Sequence, residues 1–250
     1  MTKVFGLVPI ICLFAPTERL AMNLFVNDIP IRILKPGKQP LPGNINHSLD
    51  AKKEAVTKAK MVHHTWINNC APQHLDAVLD LISLQVPTDL LSLHLTVTDY
   101  EEVKNFLKKK FTIVKAAGGL IIKKDKFLMI NRLKKWDLPK GKKESKENYR
   151  KAAQREIKEE CNITVRPLEK ICTTWHTYTM NKRSMLKKTR WYLMEVLSDS
   201  KMRPELKENI EELRWMTRKE VYHALENSYK SIRFVFEGYY RKIDAVKTKT

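Results

Sequence analysis

The chain has 250 residues, with 47 Lys+Arg against 28 Asp+Glu and a formal net charge of +19. Apolar residues make up 43%, enough for the core of one or two domains, and 7 Gly with 11 Pro exclude disordered, collagen-like and low-complexity chains. The charge predicts anionic partners (phosphates, nucleic acid or an acidic membrane surface) without choosing among them. Cys12, Cys70, Cys161 and Cys172 form no CxxC pair, which excludes a disulfide scaffold and a zinc site of the usual spacing and reads as reduced thiols in a cytoplasmic protein.

In chain order, residues 4–15 are an apolar run behind Lys3, too short to span a membrane and followed by a poor cleavage region. Residues 1–21 read as an extension, with Met22 as an alternative start. Residues 23–34 read as a β-hairpin turning at Asn27-Asp28, with Ile29, Ile31 and Ile33 on one face. Turn residues fill 35–46. An Ala/Lys-rich helix is expected over 49–61, a surface helix or loop around His63-His64, and an amphipathic helix over 73–84. His74 has no partner spacing for a metal. A strand over 91–97 leads to Asp99, which caps a helix ending in Lys108, Lys109 and Lys110. Residues 22–110 thus read as a small α+β region with no catalytic pattern.

From residue 111 the pattern changes. Strands are expected over 112–123 and 127–132 about an Asp125-Lys126 turn, then a helix over about 145–161. Further strands are expected near 173–178, 189–196 and 213–216. Thr217, with Glu220 three residues on, opens a last helix through a capping box. Its apolar positions include Val221, Leu225, Ile232 and Phe236.

The residues that carry chemistry lie between Gly141 and Ile163. Glu156, Glu159 and Glu160 fall at i, i+3 and i+4, on one helix face. Carboxylates gathered in this way repel one another and are stabilised by a divalent cation, for which oxygen ligands favour Mg²⁺, with Mn²⁺ as the alternative. Such an ion can bridge phosphate oxygens and activate water. The bland alternative is a solvated acidic helix face paired with Lys151 and Lys158.

Register decides against that alternative. Gly141, Glu147, Arg155, Glu156, Glu159 and Glu160, with Ile157 and Ile163, resemble the Nudix box G-x5-E-x7-R-E-U-x-E-E-x-G-U, in which U is a bulky apolar residue. Six fixed positions at about one in twenty each match by chance on the order of 10⁻⁸. Asn162 stands where the family has Gly, a position where Asn tolerates the left-handed backbone. The resemblance covers residues 111–240. It does not extend to the N-terminal region, which is expected to pack beside the rest and gate the substrate or support a homodimer. It implies an α/β (α+β) fold, a Nudix-like α/β/α sandwich with a mixed sheet over 111–250. It implies metal held by Glu156, Glu159 and Glu160 with the Gly141 carbonyl, and support of that loop and helix by Glu147 and Arg155. The general base is expected from Glu159, Glu211 or Glu212, with Glu211 or Glu212 preferred.

Residues 104–143 hold fourteen Lys or Arg and two Asp, a net +12, whereas residues 144–163 are neutral. Arg132, Lys140, Lys142 and Lys143 are the expected phosphate contacts, and Lys108 to Lys110 a solvated helix end. Trp136, Trp175, Tyr178 and Tyr192 could stack on a base but read first as packing residues. The Pro139-Lys140-Gly141-Lys142 loop resembles Nudix enzymes of diadenosine polyphosphates, diphosphoinositol phosphates or capped RNA. The expectation is metal-dependent hydrolysis of a diphosphate linkage in a phosphate-rich small molecule, diadenosine polyphosphate-like, and no membrane partner. RNA 5′-pyrophosphate removal and non-enzymatic nucleotide sensing are the alternatives.

Overall fold

The computed structural model describes residues 21–41 and 43–247, with side chains to residue 244. The apolar run at 4–15, Cys12 and the expected extension up to residue 20 lie outside them. No helix among the described residues is long and apolar enough to cross a membrane.

The hairpin forms as its sequence predicts. β1 (Ala21–Val26) and β2 (Ile29–Leu34) pair antiparallel across Asn27 and Asp28, at φ 47° and 62°. Asn and Asp tolerate this left-handed conformation, which suits the twist of a two-residue hairpin turn. Asp28 does more than turn the chain. Its Oδ1 accepts from Lys230 N at 2.8 Å and so satisfies an N–H at the start of a helix some two hundred residues later.

β3 (His47–Asp50), β4 (His63–Cys70) and β5 (Leu90–Val97) continue in parallel beyond β2, in the order β2-β5-β4-β3. α1 (Pro72–Leu84) buries Leu75, Val78, Leu79 and Ile82 against this sheet. α2 (Tyr100–Lys110) starts where Asp99 accepts from Glu101 N and Glu102 N. Lys110 pairs with Asp76 and Asp80 of α1, so the basic helix end is not simply solvated but ties two helices together.

Two expectations fail here. Residues 49–61 are not a helix. Asp50 Oδ1 accepts from Lys52 N, and Asp50 O from Lys53 N and Glu54 N, which winds the chain into a turn after β3. Only Lys58–Lys60 makes a 3₁₀ turn. Residues 63–70 are a strand with Thr65, Ile67 and Cys70 buried. Their pairing with β3 and β5 supplies the hydrogen bonds that propensity alone would have spent elsewhere. His64 Nδ1 bonds Ser92 Oγ at 2.8 Å, and His74 Nδ1 accepts from Ala71 N at 3.0 Å.

β6 (Thr112–Lys123) and β7 (Lys126–Arg132) turn at Lys124-Asp125, one residue earlier than expected. β8 (Lys135–Asp137) pairs with β7, and β9 (Lys140–Lys142) pairs with β6. α3 (Tyr149–Cys161) begins at Asn148, whose Oδ1 accepts from Arg150 N and Lys151 N, and ends at Asn162 at φ 53°. Asn162 Nδ2 also donates to Lys201 O at 2.7 Å. β10 (Thr164–Met180) and β11 (Arg183–Ser198) are longer than their apolar segments suggest, and β12 (Ile210–Met216) pairs with β7.

The capping box at Thr217 starts α4 (Arg218–Ala224), but the expected single helix then breaks. A second helix, α5 (Lys230–Lys247), follows a 3₁₀ turn at Leu225–Asn227. At the break, Ser228 Oγ donates to Trp136 O at 2.6 Å.

One twelve-stranded mixed sheet runs through the chain in the order β12-β7-β6-β11-β10-β1-β2-β5-β4-β3. The join is β1 against β10, parallel, with Leu24 opposite Trp175 and Phe25 opposite His176. One apolar cluster fills the N-terminal region, and two others flank the sheet from residue 111 on. Cys70, Cys161 and Cys172 are buried in these cores, and none of the three forms a disulfide.

α5 holds one buried carboxylate at a cost. Glu237 Oε2 accepts no hydrogen bond and lies 3.9 Å from Arg241. Burial pushes its pKa up to about 7, against the pull of Arg241 and Arg233. Between its unfolded value near 4.5 and 7, the native state therefore binds more protons than the unfolded chain, and stability falls as pH rises. Glu237→Gln is expected to stabilise the fold by on the order of 1–3 kcal/mol at about pH 8, and by less at about pH 5. Thermal unfolding across that range checks it.

Candidate active site

The 13-residue α3 presents the box carboxylates toward β9. Neighbouring residues of β9 meet two of them. Lys140 N donates to Glu160 Oε2 at 2.9 Å. Gly141 lies so close under Glu156 that an added Cβ would stand 1.8 Å from its Oε2. Glu160 is almost fully buried, with Arg132 at 3.8 Å its nearest cation. Burial pushes its pKa up to about 7, partly offset by Lys140 and Arg132. Burial likewise raises Glu156, against the pull of Arg155.

Arg155 organises the rest. Its guanidinium reaches Glu147 at 2.7 Å, Glu156 at 2.9 Å and Glu159 at 2.8 Å, and donates to Lys142 O at 2.9 Å. The hydrogen bond to Glu147 leads the effects that raise its pKa. Glu147 is held below the usual carboxylate range, first by that bond, and Oε1 also accepts from Glu144 N at 2.8 Å. One planar fork thus ties the loop after β9 to α3, a task a lysine ammonium cannot copy. Arg155→Lys is expected to lower kcat and raise the half-saturating metal concentration, each by about 10- to 100-fold, as loss of groups that orient metal ligands does. Metal titrations of activity check it.

Asp137 and Lys140 form a buried pair at 2.6 Å beside these carboxylates. Burial works against the Lys140 ammonium, but Asp137 and Glu160 outweigh it and its pKa is raised. Arg132, Asp137 and Lys140 line a cavity of about 520 Å³ whose other wall is Thr174, His176, Lys187 and Thr189. Burial, then Lys187, brings His176 down to about 4, so it is neutral at pH 7. Burial, then Lys140 and Arg132, lowers Lys187. The Thr189 hydroxyl is buried without a hydrogen-bond partner. Such a cation cluster with an unspent hydroxyl suits a multiply charged anion. Phe25, Asn27 and Asp28 of the N-terminal hairpin close the same cavity.

Of the expected phosphate contacts, Arg132 and Lys140 line the cavity and Lys142 and Lys143 do not. Lys143 Nζ donates to Glu144 O and lies 6.0 Å from the Tyr149 ring. Glu211 is exposed, and Glu212 pairs with Arg214 at 2.6 Å. Glu208, absent from the expected set, pairs with Arg132 at 3.1 Å and adds to the raising of Glu156. Tyr178 lines the cavity, whereas Tyr192 is buried in a core cluster. Asp137, His176, Lys187 and Thr189 were also missed. Only strand alternation along β10 and β11 could have signalled the last three.

Residues 112–236 match the NUDIX domain model, half of the chain. The chain belongs to the Nudix family. Nudix hydrolases act on phosphate-containing small molecules and generally use divalent cations, and this chain is a pyrophosphohydrolase of that family. Among solved structures, it is similar to a NUDIX hydrolase from Nitrosomonas europaea (17% identity over 52% of this chain and 90% of that one, TM-score 0.45). It is also similar to a C. elegans Ap4A hydrolase binary complex (23%, 53% and 98%, TM-score 0.42) and to a MutT NUDIX hydrolase from Burkholderia pseudomallei (24%, 46% and 98%, TM-score 0.37). No curated protein matches the chain.

The residues fit a divalent cation by the chemistry of their donors. Glu156 and Glu160 offer hard oxygens from one helix face, both with raised pKa, over a glycine that leaves room for them. Glu159 is exposed and bonded to Arg155, and no three His, Cys, Asp or Glu among the described residues are gathered closely enough to hold an ion. A place for Glu159 in a ligand set would require it to exchange Arg155 for the ion.

Proposed function

We propose that this Nudix enzyme hydrolyses a diphosphate linkage in a polyphosphorylated small molecule of the diadenosine polyphosphate type, with Mg²⁺ as its ion. The observation that carries this is the continuity of the box with the cavity. Lys140 lines the cavity with its side chain and bonds Glu160 through its backbone. Substrate phosphates placed against Arg132, Lys140 and Lys187 therefore lie beside Glu156 and Glu160. The bound ion would neutralise charge developing on phosphate oxygens and lower the pKa of a coordinated water. Arg132, Lys140 and Lys187 hold the phosphate chain, and Phe25 and Tyr178 offer apolar surface to the rest of the substrate.

The candidates for the general base are Glu159, Glu211 and Glu212. Glu208 joins them because it shares Arg132 with Glu160. Unchanged turnover in Glu211→Gln/Glu212→Gln would remove those two, and a loss of about 10²-fold or more in Glu208→Gln would assign the role there. The test of the function is a product-resolved screen of dinucleoside polyphosphates, diphosphoinositol phosphates and 5′-triphosphorylated RNA with Mg²⁺. Cleavage confined to the RNA would overturn the small-molecule reading.

A further inference from the structure

Behind the catalytic cavity, on the other face of the same strands, lies a second one. Successive side chains of a strand point to opposite faces. His176, Lys187 and Thr189 line the catalytic cavity, and their neighbours Trp175, Lys188 and Arg190 line a cavity of about 350 Å³. It sits at the join of the two halves of the sheet. Lys35, just past β2, and Tyr100 and Lys104 of α2 form the opposite wall.

We propose that this second cavity binds a compact anion carrying two or more linked phosphates, a ligand separate from the substrate. Five cations line the cavity (Lys35, Lys104, Lys170, Lys188 and Arg190) against one acid, Glu101, which pairs with Lys104 at 2.8 Å. Among the described residues no carboxylate pairs with Lys188 or Arg190. They rest on aromatic rings, Lys188 4.7 Å from Trp175 and Arg190 3.9 Å from Tyr149, while Lys35 lies 5.5 Å from Tyr100. Cation–π contacts hold a cation in place without neutralising it, so the field of the cluster is left for an outside anion. Lys188 feels both its burial and the charge of its neighbours. Burial, then Arg190, Lys170, Lys104 and Lys115, lowers its pKa. An anion would relieve that repulsion and gain charge-assisted hydrogen bonds from walls contributed by both halves of the chain.

The shape selects a small ligand. A single-stranded nucleic acid needs a track along which successive phosphates are met, whereas these cations converge on one concavity. Charge sets the number of phosphates: Lys35, Lys188 and Arg190 alone carry three positive charges, more than the roughly two negative charges of a single phosphate. The inference is independent of which diphosphate the catalytic cavity cleaves.

The test is calorimetric titration of the full chain with inorganic triphosphate and with ADP, in EDTA so that metal does not recruit either to the box carboxylates. Either ligand is expected to bind, and Lys35→Gln/Lys188→Gln is expected to weaken it at least about tenfold, the loss of two charge-assisted contacts. Hydrolytic kcat should stay within about twofold. Lys104→Gln/Lys170→Gln, on the same cavity, should weaken binding likewise, and serves should the first pair fail to fold. Failure of wild type to bind either ligand would overturn the proposal. So would affinity untouched by both pairs and lost only in Arg132→Gln, or binding of a 5′-phosphorylated RNA that triphosphate does not displace.

Discussion

Glu160→Gln is expected to lower kcat by about 10³-fold while the protein keeps its fold. The charge lost is the one that would hold the ion on the phosphate, and an ion's stabilisation of transition-state charge is worth several kcal/mol, each 1.4 of which is about tenfold in rate. The structural cost is small. Glutamine has the same shape, and its carbonyl oxygen can accept the 2.9 Å bond from Lys140 N. It also removes a buried charge whose pKa is already pushed up to about 7 by desolvation. Thermal stability should therefore be unchanged or raised, the usual sign of a group kept for function rather than for folding. Turnover and Tm measured on one preparation check both halves. A kcat within about tenfold of wild type would remove Glu160 from the ion site.

How much of this could be read from the chain depended on distance along it. Glu147, Arg155, Glu156, Glu159 and Glu160 lie within one loop and helix, so their spacing alone places them on one face, and the structure brings them to β9. The Asn27-Asp28 turn, the Asp99 cap and the Thr217 capping box were legible for the same reason, being local backbone chemistry. The cavity was not. Its walls come from β10, β11 and a hairpin more than a hundred residues upstream, and no local pattern announces that His176 will face Phe25 across a parallel join. The strands missed or misread, β3, β4, β8 and β9, are short or polar and owe their state to neighbours that complete their ladders. The positive charge was visible as a number but not as a division. The structure spends Lys110 on α1 and Lys123 on Asp199, and places Lys187 and Lys188, adjacent in sequence, in different cavities.

Gly141→Ala should be nearly as damaging as loss of Glu160, for a different reason. An alanine Cβ would stand 1.8 Å from Oε2, 2.2 Å from Cδ and 2.6 Å from Oε1 of Glu156. The obstructed group is the end of a flexible side chain, so the chain can fold by swinging the carboxylate away. The fold survives and the ligand geometry does not. A loss of about 10²-fold in kcat is expected, with a raised half-saturating metal concentration, as when a metal ligand is displaced. Gly118→Ala provides the contrast. There the Cβ would meet Pro139 O at 2.6 Å and the Trp191 ring at 2.7 Å, neither able to swing aside, so β9 must leave β6 and Tm should fall instead. The mechanism has its own signature. If the methyl acts by displacing Glu156, then Glu156→Ala and Gly141→Ala remove the same interaction, and the double variant should be no slower than the slower single one. Additive losses would place the role of Gly141 in its backbone rather than in the room it leaves for Glu156.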